Sequence, residues 1–246
     1  MDRVADVAGL RVRRVLTTRA GGRSSAPFDS FNLSRGVGDD PANVDANRYR
    51  LTRELGLRGT VFLHQVHGTR VATVEEPPRR SAPDIAETDA VVTASPGIGL
   101  AVLAADCTPV LLSDSRAGVI GAAHAGRVGA ADGVVPATVA AMQDLGAQLA
   151  DIEVLLGPAV CGLCYEVPAA MRAEVDARLP GSAATTRSRT PSLDVRAGLY
   201  RQLRDLGVTK VGADPRCTYE SRELFSHRRD GPRTGRLAGV VWLDAS

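Results

Sequence analysis

Chemistry in this chain is most economically sought at its rarest side chains. Among 246 residues there are four histidines and four cysteines. His67 and His124 each stand beside glycine at the end of an apparent strand, in VFLHQVHG and VIGAAHAG, and Cys107 follows the apolar run of LAVLAADCTPV. Two imidazoles and a thiolate are zinc ligands. Three protein ligands leave the fourth tetrahedral position to water or substrate, as catalysis requires, whereas a structural site is closed with four. Zinc can lower the pKa of a water it holds to about 7 and can polarise a substrate oxygen. Cys107 follows His67 by 40 residues and precedes His124 by 17, so no local pattern brings them together. By residue type alone the plainer alternative is preferred, with the histidines hydrogen-bonded near turns and Cys107 buried as a small hydrophobe.

Neighbouring residues add candidates. If the chain around His67 is a strand, Gln65 shares its face and His64 takes the other, which makes His64 structural. By the same alternation Asp106 points away from Cys107 and at most orients a ligand. Cys161 and Cys164 form a C-x-x-C pair without a second such pair to complete a structural zinc site, and are read as plain thiols. No histidine is followed two places later by glutamate, so the cytidine-deaminase signature is absent. Lys210 is the only lysine and sits in the strand-like VTKVG, which excludes P-loop and pyridoxal chemistry.

The length fits one large mixed domain or two small ones, of which a single domain spanning residues 1–246 is favoured, and the 44% hydrophobic and 24% charged composition is that of a globular chain. Short β-branched or apolar runs at residues 12–18, 71–74, 90–93, 100–104, 110–113 and 119–123 make the first half mostly sheet. From Gly129 onward helical spacing appears in VVPATVAAMQDLG, VPAAMRAEVDARL and VRAGLYRQLRDLG, each ended by glycine or followed by proline. The strand candidates IEVLLG, VTKVG and LAGVVWL lie between and after them, and residues 75–89 and 180–192 read as surface loops. Together these point to a mixed α/β or α+β domain built as a layered sandwich. No apolar run reaches the roughly 18 residues of a membrane span, and MDRVADVAGL lacks a secretory apolar segment, so a cytoplasmic protein is expected. The net charge of +2 is spread along the chain and does not indicate nucleic acid.

The motifs TTRAGG, SFNL, GVGDD, the Asn47-Arg48 pair, HQVHG, TDAVVT, ADCTPVLL, AAHAG, GPAV with CYEV, CTY, SHRRDG and TGR follow one another in order. In this the chain resembles the bacterial laccase-domain family, long described as multicopper polyphenol oxidases and associated with purine nucleoside phosphorolysis. The resemblance covers nearly the whole chain. It implies an αββα-type layered fold with zinc held by His67, Cys107 and His124. It also implies cleavage of adenosine, inosine, guanosine and methylthioadenosine by phosphate, with adenosine deamination as a second activity. One departure lies after HAG, where Arg127 and Val128 stand in place of the family's usual aromatic or basic pair.

Phosphorolysis needs arginine to neutralise phosphate in fork geometry. Arg48, Arg127, Arg228, Arg229 and Arg236 are the candidates, with Arg48, Gln65 and Arg127 taken as substrate contacts. Copper oxidation of phenols is the less favoured alternative, since four histidines cannot furnish a trinuclear cluster beside a further copper. A Cys/His hydrolase using Cys107, and a non-catalytic module with a structural metal, complete the alternatives. Oligomeric state is not legible.

Overall fold

The computed structural model describes residues 10–245, so the reading of the extreme N-terminus falls almost wholly outside it. Two sheets lie face to face. The first has the order β1-β12-β5-β2, from β1 (Leu10–Leu16), β2 (Gly59–Val61), β5 (Ile98–Ala104) and β12 (Leu237–Ala245). The second has the order β11-β8-β6-β7-β4-β3, from β3 (Val71–Thr73), β4 (Ala90–Thr93), β6 (Thr108–Asp114), β7 (Val119–Ala125), β8 (Glu153–Leu156) and β11 (Lys210–Ala213). A hairpin of β9 (Ala183–Thr185) and β10 (Pro191–Leu193) stands apart, inside a segment expected to be loop.

The central strands are buried at every position because both of their faces are covered. Alternate residues of one strand go to different layers, as the period of two demands. Leu100 and Val102 of β5 meet Val91, Leu111 and Ile120 of the second sheet in the central core. The intervening Ala101 and Leu103 face outward into a cluster with Leu51, Phe62 and Trp242. Leu51 belongs to α1 (Pro41–Glu54), which covers the first sheet. On the far side Val110 and Leu112 of β6 pack with Val135, Val139, Met142, Leu199 and Leu203. Those residues come from α3 (Val134–Asp144) and α5 (Val195–Asp205), while α4 (Ala169–Arg178) contributes Val175. The layering is therefore helix, sheet, sheet, helix, the αββα sandwich expected. Two short helices, α2 (Arg127–Asp132) and α6 (His227–Asp230), lie where β7 and the chain before β12 reach the edge of the sandwich.

The helix α1 is an addition to a first half expected to be, and found to be, mostly sheet among its regular elements. Asp40 caps it by accepting from the Ala42 N–H at 2.9 Å, and Pro41 occupies the first turn, where a missing N–H costs nothing. No helix among the described residues is long and apolar enough to cross a membrane.

Candidate metal centre

The three ligand candidates come from three separate chain segments. His124 is the penultimate residue of β7, still inside the strand rather than beyond it. Cys107 lies in the turn that carries the chain from β5 in one sheet to β6 in the other. His67 lies in a loop after β2, with a left-handed φ of 63°. Sheet packing converges them. His67 Nε2 stands 3.7 Å from Cys107 Sγ, and the two imidazoles meet edge-on with centroids 4.8 Å apart. The three ligand atoms lie within 4.8 Å of one another. Nitrogen and sulfur ligands about 2.0–2.3 Å from a tetrahedral ion would sit about 3.3–3.8 Å apart, so small side-chain rotations suffice.

The centre is held from behind by Asp89, which is fully buried at the edge of β4. Its Oδ1 accepts from the His67 N–H at 2.9 Å and the His124 Nδ1–H at 2.9 Å. Its Oδ2 accepts from the Val66 and Gly68 N–H groups at 3.0 and 2.8 Å. Three successive amides thus cradle one carboxylate, which stabilises the unusual backbone of His67. Burial opposes ionisation of Asp89, but these donors outweigh it and hold its carboxyl below the usual range. A carboxylate accepting from Nδ1 fixes the His124 proton there and presents the Nε2 lone pair to the centre. Sequence reasoning missed Asp89 by assigning residues 75–89 to a surface loop. The signal was a charge opening the apolar TDAVVT strand.

The electrostatics fit a cation. Burial opposes ionisation of Cys107, yet the charge and hydrogen bonds of His124 and His67 bring its thiol down to about 6. Burial likewise disfavours a charged His124, but Cys107 and Asp89 raise it to about 9. Without an ion, the pair rests as thiolate and imidazolium. Space has also been kept: a Cβ on Gly126 would lie 2.5 Å from His67 Cδ2 and 3.1 Å from Cys107 Sγ. Borderline-soft donors, an oriented imidazole and glycine at the closest approach together suit a zinc-like ion.

The centre opens into a cleft of about 610 Å³. All four histidines line it, together with Arg127, Arg228, Arg236 and Tyr165. His64 is exposed there, which corrects its reading as structural; the chain has left β2 by residue 62, so strand alternation does not apply. Asp106 likewise lies in a turn, with φ at 96°. It accepts from Thr218 and Ser226 hydroxyls at 2.6 and 2.7 Å and from the Arg228 N–H at 2.6 Å, anchoring the cleft wall. Gln65 faces the cleft with its amide bonded to both backbone groups of Leu103, at 2.8 and 2.7 Å. Arg236 is half-buried and donates to the Thr234 carbonyl at 2.7 Å, and burial lowers its pKa against the opposing pull of Cys107 and Asp106.

Two candidate arginines have structural tasks instead. Arg229 donates to the carbonyls of Thr218 and Leu224, both at 2.7 Å. Arg48 is 6% exposed, donates to the Leu33 carbonyl at 2.7 Å, pairs with Asp84 and stacks on Phe62 at 3.9 Å. It supports Asp84, which lines the cleft, and does not line the cleft itself. A larger groove of about 980 Å³ runs beside α1 and contains Arg48 but no histidine or cysteine.

An open three-ligand centre at the meeting edges of two sheets defines the class: an αββα protein with a candidate catalytic metal site. The chain belongs to the family described as multi-copper polyphenol oxidoreductase laccase, which it matches over residues 13–244. A relative from Mycobacterium tuberculosis named purine nucleoside phosphorylase is 57% identical over 237 residues, covering 96% of this chain and 93% of that protein. One of the same name from Corynebacterium glutamicum is 53% identical over 234 residues, covering 94% of each. Among solved structures, YlmD from Geobacillus stearothermophilus superimposes with a TM-score of 0.87 at 32% identity, covering 97% of this chain and 93% of that one.

Proposed function

We propose that this chain is a zinc-dependent purine nucleoside phosphorylase acting on adenosine, inosine, guanosine and methylthioadenosine, with adenosine deamination as a second activity. The observation that carries the reading is one cleft joining an open three-ligand centre to Arg127, Arg228 and Arg236. Relatives 57% and 53% identical that bear the phosphorylase name support it. His67, Cys107 and His124 would hold the ion, which when bound supplies Lewis acidity toward water or a substrate oxygen.

The chain's own residues account for the rest. A cleft of about 610 Å³ falls within the range of roughly 300–1,000 Å³ usual for small-molecule sites, enough for a nucleoside and phosphate. In phosphorolysis a phosphate oxygen bonds to ribose C1′ as the bond from C1′ to the purine nitrogen breaks, and its electron pair leaves with the base. Arginines at the cleft wall neutralise the attacking phosphate and hold it in line. Asp106 fixes the backbone of Arg228, and Gln65 holds the His67 loop against β5. The multi-copper alternative is disfavoured by ligand supply. All four histidines surround one cleft, and only His67 and His124 reach Cys107.

One further reading has a specific observation behind it. Cys107, His124 and Asp89 are arranged as nucleophile, base and orienting carboxylate, the logic of a cysteine hydrolase. Inosine supplied with and without phosphate separates the readings. A phosphorylase forms hypoxanthine and ribose 1-phosphate in equal amounts only when phosphate is present, loses activity to a chelator and regains it with zinc. Base release indifferent to phosphate overturns the phosphorylase, while activity that survives chelation but not thiol alkylation establishes the hydrolase.

A further inference from the structure

The other three cysteines are left unused by this reaction, and the fold gathers them about a carboxylate. Cys161 and Cys164 lie in the turn after β8, and Cys217 and Glu220 in the segment after β11. The four ligand atoms, three sulfurs and one carboxylate oxygen, lie within 4.8 Å of one another. In the sequence Cys161-x-x-Cys164 has no second C-x-x-C to partner it. The partner is the C-x-x-E of residues 217–220, distant in sequence and joined to it in space by a β-bridge between Ala159 and Cys217.

We propose that Cys161, Cys164, Cys217 and Glu220 bind a second ion, a structural zinc closed by four protein ligands. Sulfurs about 2.3 Å from a tetrahedral ion sit about 3.8 Å apart, close to the spacing within 4.8 Å at which these four donors already stand. Both ligand pairs have the two-residue spacing that lets a single turn present two donors to one ion. The turn around Cys161 is already formed, since its carbonyl accepts from the Cys164 and Tyr165 N–H groups at 2.9 and 3.0 Å. Cys161 N–H in turn donates to Cys217 Sγ at 3.4 Å, the kind of backbone support that a metal-bound thiolate receives.

The charge balance agrees. Burial raises the pKa of Cys161 and Cys164, and the neighbouring Cys217 raises both further, so without a cation they stay protonated. A divalent ion reverses that preference by binding the thiolates. Arg187 pairs with Oε1 of Glu220, leaving the second carboxylate oxygen available and offsetting part of the negative charge such a site accumulates.

The ion would tie the turn after β8 to the segment after β11. Both also grip Asp106, through the Val160 N–H on its carbonyl at 3.1 Å and the Thr218 hydroxyl on its carboxylate at 2.6 Å. The second metal would thus brace the wall beside Cys107 without touching substrate.

The test measures bound metal in the full chain, purified under reducing conditions without chelator. About two zinc ions per chain are expected in the wild type, about one in Cys107→Ala and about one in Cys164→Ser. Cobalt substitution of Cys107→Ala decides independently of how Cys164→Ser folds, because that variant's only cysteines are the three of this cluster. A tetrahedral cobalt spectrum with a strong thiolate charge-transfer band is expected. Absence of stoichiometric metal from Cys107→Ala, or a disulfide among its three cysteines by mass spectrometry, would overturn the proposal.

Discussion

Replacing Asp89 by asparagine changes one atom and tests how the candidate catalytic centre is held. Each carboxylate oxygen serves two donors: Oδ1 takes His67 N–H and His124 Nδ1–H, and Oδ2 takes the N–H groups of Val66 and Gly68. An amide must place its NH2 against one of these pairs. If it replaces Oδ2, two buried backbone donors lose their acceptor, at about 1–3 kcal/mol each, or roughly 2–6 kcal/mol together. If it replaces Oδ1, the His67 N–H alone is orphaned, at about 1–3 kcal/mol, but His124 is forced into the other tautomer. Its proton then sits on Nε2, the nitrogen whose lone pair would bind the metal.

Either orientation weakens the centre. Outer partners of metal ligands typically contribute a factor of about 10–100 in affinity, which is the loss expected for zinc in Asp89→Asn. The stability loss, taken at about 2 kcal/mol, lowers Tm by roughly 4–8 °C for a chain of this size. Competition against a chromophoric chelator gives the affinity, and thermal unfolding of the metal-free protein gives the stability. The metal-free form matters, because bound metal would otherwise fold its own affinity into Tm. A variant whose zinc affinity and metal-free Tm both equal the wild type would refute the role assigned to Asp89.

Other perturbations address different parts of the site. In Gly126→Ala the new Cβ meets His67 Cδ2 at 2.5 Å while φ at −74° is ordinary for alanine, so zinc affinity should fall with little loss of stability. Retention of full affinity would show that His67 is not confined as described. In metal-free protein the Cys107 thiol, depressed to about 6, should be alkylated with an apparent midpoint near that value, and a midpoint at the ordinary thiol value of 9.0 contradicts it. Between about 6 and 9, Cys107 has already lost its proton while His124 still holds one. Zinc binding in that window should therefore release about one proton from the pair, measurable by calorimetry in buffers of different ionisation enthalpy. Release that rises by a further proton at pH 7 would mean Cys107 is not ionised. Arg48→Ala should cost roughly 3 kcal/mol by stranding Asp84, the lower end for a buried pair because Asp84 keeps some solvent contact. A rise in KM for nucleoside with no loss of stability would instead restore Arg48 as a substrate contact.

Which parts were legible in the sequence follows from what each element must bury. Strands such as β5 and β6 are buried at every position, because both faces meet a core, and their apolar stretches, residues 100–104 and 110–112, stand out in the sequence as unbroken runs. The helices α3 and α5 carry apolar stripes onto the second sheet and were equally visible. By contrast α1 buries only Val44, Asn47, Arg48 and Leu51, two of them polar, so its periodicity is faint. Its cap, Asp40 followed by Pro41, was the legible signal. The hairpin of β9 and β10 has three-residue strands within a polar segment, too short for alternation to register. Rarity and position singled out the triad and the family motifs around it made it a ligand set, whereas Asp89 and the pairing of Cys217 with Cys161 depend on contacts made only once the sheets have packed.

The placement of His67 shows why packing matters more here than local sequence. Its loop belongs to neither sheet, yet it is tied to both. Gln65 bonds to Leu103 of β5 in the first sheet, and Asp89 at the edge of β4 in the second accepts from three consecutive loop amides. Cys107 lies where the chain crosses between the same two sheets, and His124 rises from the second. The geometry of the three candidate ligands is therefore set by the distance between the sheets, which the central apolar core fixes at native packing density. Energy released by burying that core is what keeps His67 and Asp106 in left-handed backbone, each at a cost of about 1–3 kcal/mol. A centre built this way is organised before metal or substrate arrives, so binding need not supply the ordering.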